Sequence, residues 1–544
     1  MTPTRWTVAL LAAPVAFLLC FFAWPVANIV GEGLRSDHGW DLGGVGEVLG
    51  DPALRQVVWF TAWQAALSTV LTLLISLPAA HVLSTYEFRG RRLIQALLVI
   101  PFVLPTVVVG AAFLSLFGAN GVAGVDLRGS ALAILLAHAF FNHAVVVRTV
   151  GGLWEGLDPS TEEAARVLGA SRWRAFAEIT WPVIRPAVAS AAAIVFLFCF
   201  TSFGVVRILG GPGRSTLETE IYRQTADLFD LPVASILALL QLSAVVAMLA
   251  VHSWLERRQD IKAVAMRTPL RRRVRGRGDR AWVAANLALM GVWLGVPLLV
   301  LVQRSFRVGD GYGLAGWRAL GGVSAGSRLF VSPLEAVANS LRFAAVVTVL
   351  AVALGGVAAA ALARSRSRVA RSVDSALLLP LGTSAVTVGF GFLLALDEPV
   401  DLRASPWLVP IAQAVVALPF VVRTLTPVLR SIDPTLREAA AVLGASPRRA
   451  WLAVDLPLVW RALLVAAGFA FAISLGEFGA TVVIARADAP TVPVTIARLL
   501  GRPGALNVTQ GFALSVVLMV VTTAAVLLVD RWQPRSGARR GGFL

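Results

Sequence analysis

Few side chains in this chain of 544 residues are of the types that do chemistry, and their spacing excludes most of it. The five histidines, at 38, 81, 138, 143 and 252, are scattered. His138 and His143, five apart, are read as facing different sides of one helix, which makes no metal or catalytic pair. The two cysteines, Cys20 and Cys199, lie in apolar blocks, so there is neither a disulfide framework nor a metal spacing. A P-loop needs a lysine followed by Ser or Thr. The only lysine is Lys262, and Ala263 follows it, so any ATP hydrolysis that drives this chain must come from another subunit.

One spaced pattern does recur. The chain reads Glu163-Ala164-Ala165, then Gly169, then Ile179-Thr180-Trp181-Pro182, and again Glu438-Ala439-Ala440, Gly444 and Val454-Asp455-Leu456-Pro457. Both copies fit E-A-A-x3-G-x9-[IV]-x-x-P. Each describes a short helix, a turn and a second helix. Asp158-Pro159 and Asp433-Pro434 open the first helix, because proline suits the first helical position. The glycine ends it in the left-handed conformation that a residue without a side chain adopts cheaply. Ser171 and Ser446 cap the second helix, with Pro447 at its first position in the later copy. A plainer alternative applies to the glutamates. Ser160 to Glu163 and Thr435 to Glu438 each match a capping box, in which the acid only ties down its own helix. Capping leaves unexplained why the same 20-residue pattern occurs twice at equivalent places.

The elements that position these hairpins are membrane spans. Hydrophobic residues make up 57% of the chain and charged residues 15%, against roughly 25% charge in a soluble domain. The apolar residues form blocks of about 20, the length that crosses ~30 Å of hydrocarbon. Twelve spans are predicted, near 8–30, 57–83, 93–117, 129–150, 183–208, 231–254, 281–303, 337–363, 374–396, 405–425, 458–485 and 508–530. The first block is long for a signal-peptide core and lacks a small-residue cleavage site, and Leu18-Leu19 before Cys20 does not suit lipoprotein processing, so it is kept as a helix. The formal charge of +17 suggests nucleic acid, but the arginines sit in short segments between spans with no interleaved aromatic residues to stack bases. They fit the positive-inside rule instead. With the N-terminus inside, the basic loops 84–92 (Arg89, Arg91, Arg92) and 364–373 (Arg364, Arg366, Arg368, Arg371), the 256–280 linker and the arginine-bearing tail are cytoplasmic. The acidic loop 31–56 is then outside.

The chain also duplicates itself. Residues 146–182 align without a gap on 421–457, an offset of 275, and Pro101 and Gly110 match Pro380 and Gly389 at 279. Six spans per copy make a parallel repeat about an axis along the membrane normal. The expected fold class is an all-α polytopic membrane protein of about twelve transmembrane helices in two six-helix halves. Its segments are 1–56 (first span and external loop), 57–255 (first repeated domain), 256–280 (basic linker), 281–336 (seventh span and external loop), 337–530 (second repeated domain) and 531–544 (tail).

The doubled motif resembles the cytoplasmic coupling loop of binding-protein-dependent ABC importer permeases with the type I transmembrane fold, over roughly 57–255 and 337–530. The resemblance implies that the short helix docks in a groove of an ABC ATPase dimer. It assigns that coupling to Glu163, Ala164, Ala165 and Gly169 and to Glu438, Ala439, Ala440 and Gly444, where small alanines let a helix sit deep. Trp181 departs from the family's usual leucine, which is expected to alter packing at the dock. The implied partners are that ATPase, an extracytoplasmic solute-binding protein and the lipid bilayer, with no nucleic acid. The chain is expected to bind no cofactor of its own, ATP and Mg belonging to the ATPase. The implied location is the bacterial cytoplasmic membrane, multi-pass, with both termini cytoplasmic.

For the substrate, Glu477 stands out as an acid in a span, within Ser474-Leu475-Gly476-Glu477-Phe478-Gly479. An intramembrane acid costs roughly 2.5–3.5 kcal/mol or more and faces a cavity or a partner. Glu477 is therefore read either as lining a path for a cation or as pairing with a membrane arginine. Ser474, and Thr201 with Glu477's repeat mate Ser202, join it as candidate pathway residues. The stretches Cys199 to Phe203, Thr216 to Tyr222 and Ser474 to Gly479 are similar to the fused thiamine importer permeases. The fused ferric-iron permeases share similar words there. Thiamine is the first expectation and iron(III) the second, ahead of other small solutes. A twelve-helix secondary transporter would need no paired coupling helices, and a membrane enzyme would need clustered acids or histidines.

Overall fold

The computed structural model describes residues 5–36, 39–40, 43–119, 121–211, 213–260, 272–274, 276–309, 311–323, 329–365, 367–397 and 401–532. Asp37, His38, Asp41, Lys262 with most of the basic linker, Arg366, and the tail residues Arg535, Arg539 and Arg540 lie outside them.

The first half contains α1 (Ala9–Leu34), α2 (Pro52–Thr85), α3 (Arg91–Val103), α4 (Thr106–Phe117), α5 (Ala131–Glu155), α6 (Pro159–Val167), α7 (Arg172–Phe200), α8 (Gly204–Leu209) and α9 (Leu231–His252). The second contains α10 (Arg277–Ser305), α11 (Pro333–Arg364), α12 (Arg368–Ala376), α13 (Ala385–Ala395), α14 (Leu408–Arg430), α15 (Pro434–Val442), α16 (Arg448–Gly476), α17 (Gly479–Ile484), α18 (Val492–Leu500) and α19 (Ala505–Val529). The chain is an all-α, multi-pass membrane protein. Ten of the expected spans are single helices long and apolar enough to cross a bilayer.

The other two expected spans, 93–117 and 374–396, are not straight, and both halves break at the same place. Helices α3 and α4 meet at 97°. Pro105 offers no amide to continue α3, and Leu104 before it is extended, with φ −62° and ψ 136°. In the second copy a 3₁₀ turn, Leu379–Gly382, separates α12 from α13, and Ser384 caps α13 by accepting from the Thr387 amide at 3.2 Å.

The fifth span of each half also departs from its expected bounds. It starts about ten residues early, because the second hairpin helix runs straight into it, and it ends early at Phe200 or Gly476. The chain resumes as α8 or α17. A five-residue π-turn joins hairpin to span in both copies, Phe176–Thr180 and Trp451–Asp455. The amides of Trp181 and Leu456 reach back five residues, to the carbonyls of Phe176 and Trp451. The last residue of each π-turn lies two before a proline, Pro182 or Pro457, as in a third, Leu19–Ala23, before Trp24-Pro25. A proline ring collides with the carbonyl four residues back in an ordinary helix. One extra residue in the turn moves that carbonyl aside.

Two compact units form, and neither coincides with a sequence half. One comprises 1–47, 221–239 and 306–544; the other comprises 48–220 and 240–305. In the first unit α1 inserts Leu11, Leu18 and Phe22 into the core built by Ala358, Leu377, Phe392, Leu408 and Val415. The Trp24 indole donates to the Ala395 carbonyl at 3.2 Å. In the second unit Met290 of α10 packs on Ala79, Leu83, Leu98 and Val147. The leading helix of each half thus belongs to the core built by the other half's repeat. In the second unit, too, Tyr86–Glu87 pairs in parallel with Arg272–Arg273, and Arg272 contacts Asp279 at 3.0 Å.

Candidate functional site

Helix α6 opens with the Asp158 carboxylate accepting from the Ser160 amide at 2.9 Å, and α15 with Asp433 accepting from Thr435 at 2.9 Å. These aspartates, not Ser160 or Thr435, are the caps. Glu163 and Glu438 are accordingly not capping-box partners, and both are exposed. The Thr435 amide holds the Asp433 carboxyl below its ordinary range.

Each hairpin turns on its glycine. Gly169 has φ +93° and Gly444 φ +81°. Around them the Ala170 amide donates to Ala165 at 3.0 Å and the Gly169 amide to Arg166 at 3.1 Å. The second copy repeats this with Ala445 to Ala440 at 2.9 Å and Gly444 to Ala441 at 2.9 Å. This pair of bonds is the Schellman motif, which satisfies the last carbonyls of a helix. Ser171 and Ser446 then accept from the amides of Arg174 (3.2 Å) and Arg449 (3.4 Å) and start the second helix. Ala164 and Ala439 are exposed, Ala165 and Ala440 half-buried.

Sequence reasoning missed the most conspicuous feature of both hairpins. Val167 and Leu168 are each 87% exposed, and their repeat mates Val442 and Leu443 are 88% and 86% exposed. They project beside the glycine turn, the same apolar pair at the same place. The signal was present, since Val-Leu-Gly-Ala-Ser is identical in the two copies. Exposed aliphatic pairs of this kind mark contact surfaces. Trp181 packs its ring 6.4 Å from Phe176, which itself stacks on Trp154 at 6.1 Å. Its unusual bulk is thus partly absorbed within its own half.

The candidate pathway residues separate into two settings. In the second half, Ser474 donates to Gln413 Oε1 at 2.6 Å, and Gln413 Nε2 donates to Thr481 Oγ1 at 3.1 Å. The Thr481 hydroxyl donates to the Glu477 carboxylate. The amides of Ala480 and Thr481 donate to the same carboxylate at 2.7 and 3.0 Å. Glu477 is buried and makes no ion pair among the described residues. Of the two readings of Glu477, the pairing with a membrane arginine is therefore replaced by two backbone amides and a hydroxyl. The chain breaks at Glu477, and the acid satisfies amides that open α17.

In the first half Thr201 donates to the Leu197 carbonyl at 3.0 Å, and Ser202 is buried. Nearby, Gln64 Nε2 donates to the Cys199 carbonyl at 2.9 Å, and Asn142 Nδ2 lies 3.4 Å from Cys199 Sγ. His138 pairs with Ser68 at 3.1 Å and His143 with Ser76 at 2.8 Å. Both histidines, five apart on one helix, therefore meet serines of α2. Helix α5 is buried around most of its circumference, and α2 runs alongside it.

Residues 72–261 and 351–538 match the family described as binding-protein-dependent transport system inner membrane component. The chain is 29% identical over 510 residues to the thiamine transport system permease protein ThiP of Brucella abortus (strain 2308), covering 91% of this chain and 90% of that protein. It is 27% identical over 470 residues to the protein of that name in Escherichia coli (strain K12), covering 83% and 84%. The crystal structure of a bacterial ABC transporter involved in the import of the acidic polysaccharide alginate aligns over 47% of this chain and 96% of that one, at 17% identity and TM-score 0.38. The two matched segments cover most of the sequence and fall on the two repeats, so the chain belongs to the binding-protein-dependent transport system inner membrane components, as an importer permease with both halves fused.

Proposed function

We propose that this permease carries thiamine across the cytoplasmic membrane, drawing on ATP hydrolysed by a separate ATPase dimer and on substrate delivered by an extracytoplasmic binding protein. Likeness to two thiamine permeases along nearly the whole chain supports the substrate, and iron(III) gains no such support from them. The twin hairpins support the drive. Each offers an exposed Val-Leu pair, exposed alanines and a rigid glycine turn, the features of a helix that seats in a partner's groove. On this reading Glu163, Ala164, Ala165 and Gly169 couple one ATPase subunit, and Glu438, Ala439, Ala440 and Gly444 the other. Both termini and both hairpins lie on the cytoplasmic side, where the arginine-rich loops are. Ser474, through Gln413, and Glu477 seat the short helix α17, and Thr201 and Ser202 occupy the matching break before α8.

Reconstitution in proteoliposomes with the ATPase and binding protein tests the proposal. ATP-dependent accumulation of radiolabelled thiamine, with none of iron(III), is the expected result. Steady ATP turnover by the purified single chain would refute the division of labour, and accumulation of iron instead of thiamine would refute the substrate.

A further inference from the structure

The residue that closes each π-turn is also the residue that holds the hairpin helix. In the first half Thr180 closes the turn, and its hydroxyl donates to Glu162 of α6 at 3.0 Å. In the second half Asp455 closes the turn, and Arg437 of α15 donates to it through Nε at 2.8 Å. Glu162 and Arg437 are repeat mates, as are Thr180 and Asp455, both at the offset of 275. The chemistry differs completely between the copies, yet the connection is the same. Asp455 has a second partner, Arg364 at the end of α11, at 3.1 Å. Its side chain is 1% exposed, whereas those of Arg437 and Arg364 are 27% and 43% exposed.

We infer that Glu162–Thr180 and Arg437–Asp455 are tethers that carry movement of the hairpin helices into the π-turns at the root of the fifth spans, with Asp455 the dominant positioning residue. This rests on the docking of the ATPase at α6 and α15 proposed above. A π-turn carries one residue more than the helix around it and is a site where helices bend. A buried carboxylate held by two guanidinium groups does not let go of them cheaply, so displacement of α15 displaces Asp455. The extra bond to α11 makes the second hairpin move three elements together. The first hairpin, joined through a hydroxyl, is the more compliant of the two.

The test uses the whole complex, with ATPase and binding protein, in proteoliposomes. The quantities read are ATPase retained per permease and thiamine accumulated per ATP hydrolysed. Asp455→Asn and Arg437→Gln are expected to retain the ATPase and its hydrolysis while thiamine per ATP falls about three- to tenfold. Thr180→Val falls less. Asp455→Glu, which keeps the charge, recovers most of the ratio. Arg437→Gln leaves the Arg364 pair intact, so it reads the tether without stranding the buried acid. An unchanged ratio in Asp455→Asn and Arg437→Gln overturns the tether. Loss of bound ATPase with a normal ratio in the complexes that remain also overturns it, because Asp455 would then only shape the dock. If the wild-type chain retains no ATPase at all, the docking reading itself falls, a result distinct from either.

Discussion

Replacing Gly444 by valine isolates the one backbone feature on which the second hairpin turns. A Cβ built at Gly444 meets no atom within 4 Å, so no clash contributes. The cost is the left-handed conformation, φ +81°, which charges an L-residue roughly 1–2 kcal/mol, with β-branched residues at the upper end. Relaxing to negative φ would instead break the two 2.9 Å bonds that close α15. Helix α15 has nine residues, shorter than the ~12–15 at which isolated helices become marginal in water. A loss of 1–2 kcal/mol therefore lowers the population of the formed hairpin about five- to thirtyfold. The assay is ATPase retention on immobilised permease, beside thiamine uptake per complex. Gly444→Val should lose both while inserting normally, Gly444→Ala should be intermediate, and Gly444→Asn should be close to wild type, because asparagine tolerates this conformation. Equal damage by asparagine and valine, or none by valine, would refute the conformational reasoning.

Other outcomes follow from the same geometry. Leu443→Asp, at a position 86% exposed, should change stability by less than about 0.5 kcal/mol while ATPase retention falls about tenfold or more, read by thermal unfolding and co-purification together. Glu477→Gln keeps shape but cannot accept at both oxygens from three donors. The cost, about 1–3 kcal/mol, should appear as lower thermal stability, with uptake per assembled complex near normal. The Asp433 carboxyl is depressed in the folded state, so its capping contribution is complete above the unfolded value of about 3.9 and is lost as pH falls through the lower folded one. Hydrogen exchange at the start of α15 should therefore be insensitive to carboxyl titration from pH 7 to about 5 and accelerate only below about 4, and Asp433→Asn should abolish that acid step.

What the sequence made legible was local or repeated. The glycine turns and the caps at Ser171 and Ser446 follow from short-range rules, and both copies obey them. The breaks at Leu104 and Gly382 were missed because hydropathy over a window counts apolar residues and ignores the missing amide of Pro105 and the capping hydroxyl of Ser384. One of the two readings of Glu477, pairing with a membrane arginine, fails for a related reason. An acid among apolar residues suggests a charged mate, whereas its donors are the Thr481 hydroxyl and the free amides at the start of the helix that follows it. His138 and His143 were read from their own helix alone, without the neighbouring helix that meets both. Val167, Leu168, Val442 and Leu443 went unnoticed because an apolar pair draws no attention in a chain that is 57% hydrophobic.

The exchange of leading helices sets the order in which this protein can be completed. The carbonyl that receives the Trp24 indole lies 371 residues further along the chain. At synthesis rates of about 5–20 residues per second, α1 waits roughly 20–75 s in the bilayer before its partner helices exist. During that interval Leu11, Leu18 and Phe22 face lipid or whatever escorts nascent helices. Severing the linker would leave each fragment carrying a helix that belongs to the other's core, so two separately made halves must find one another before either is finished.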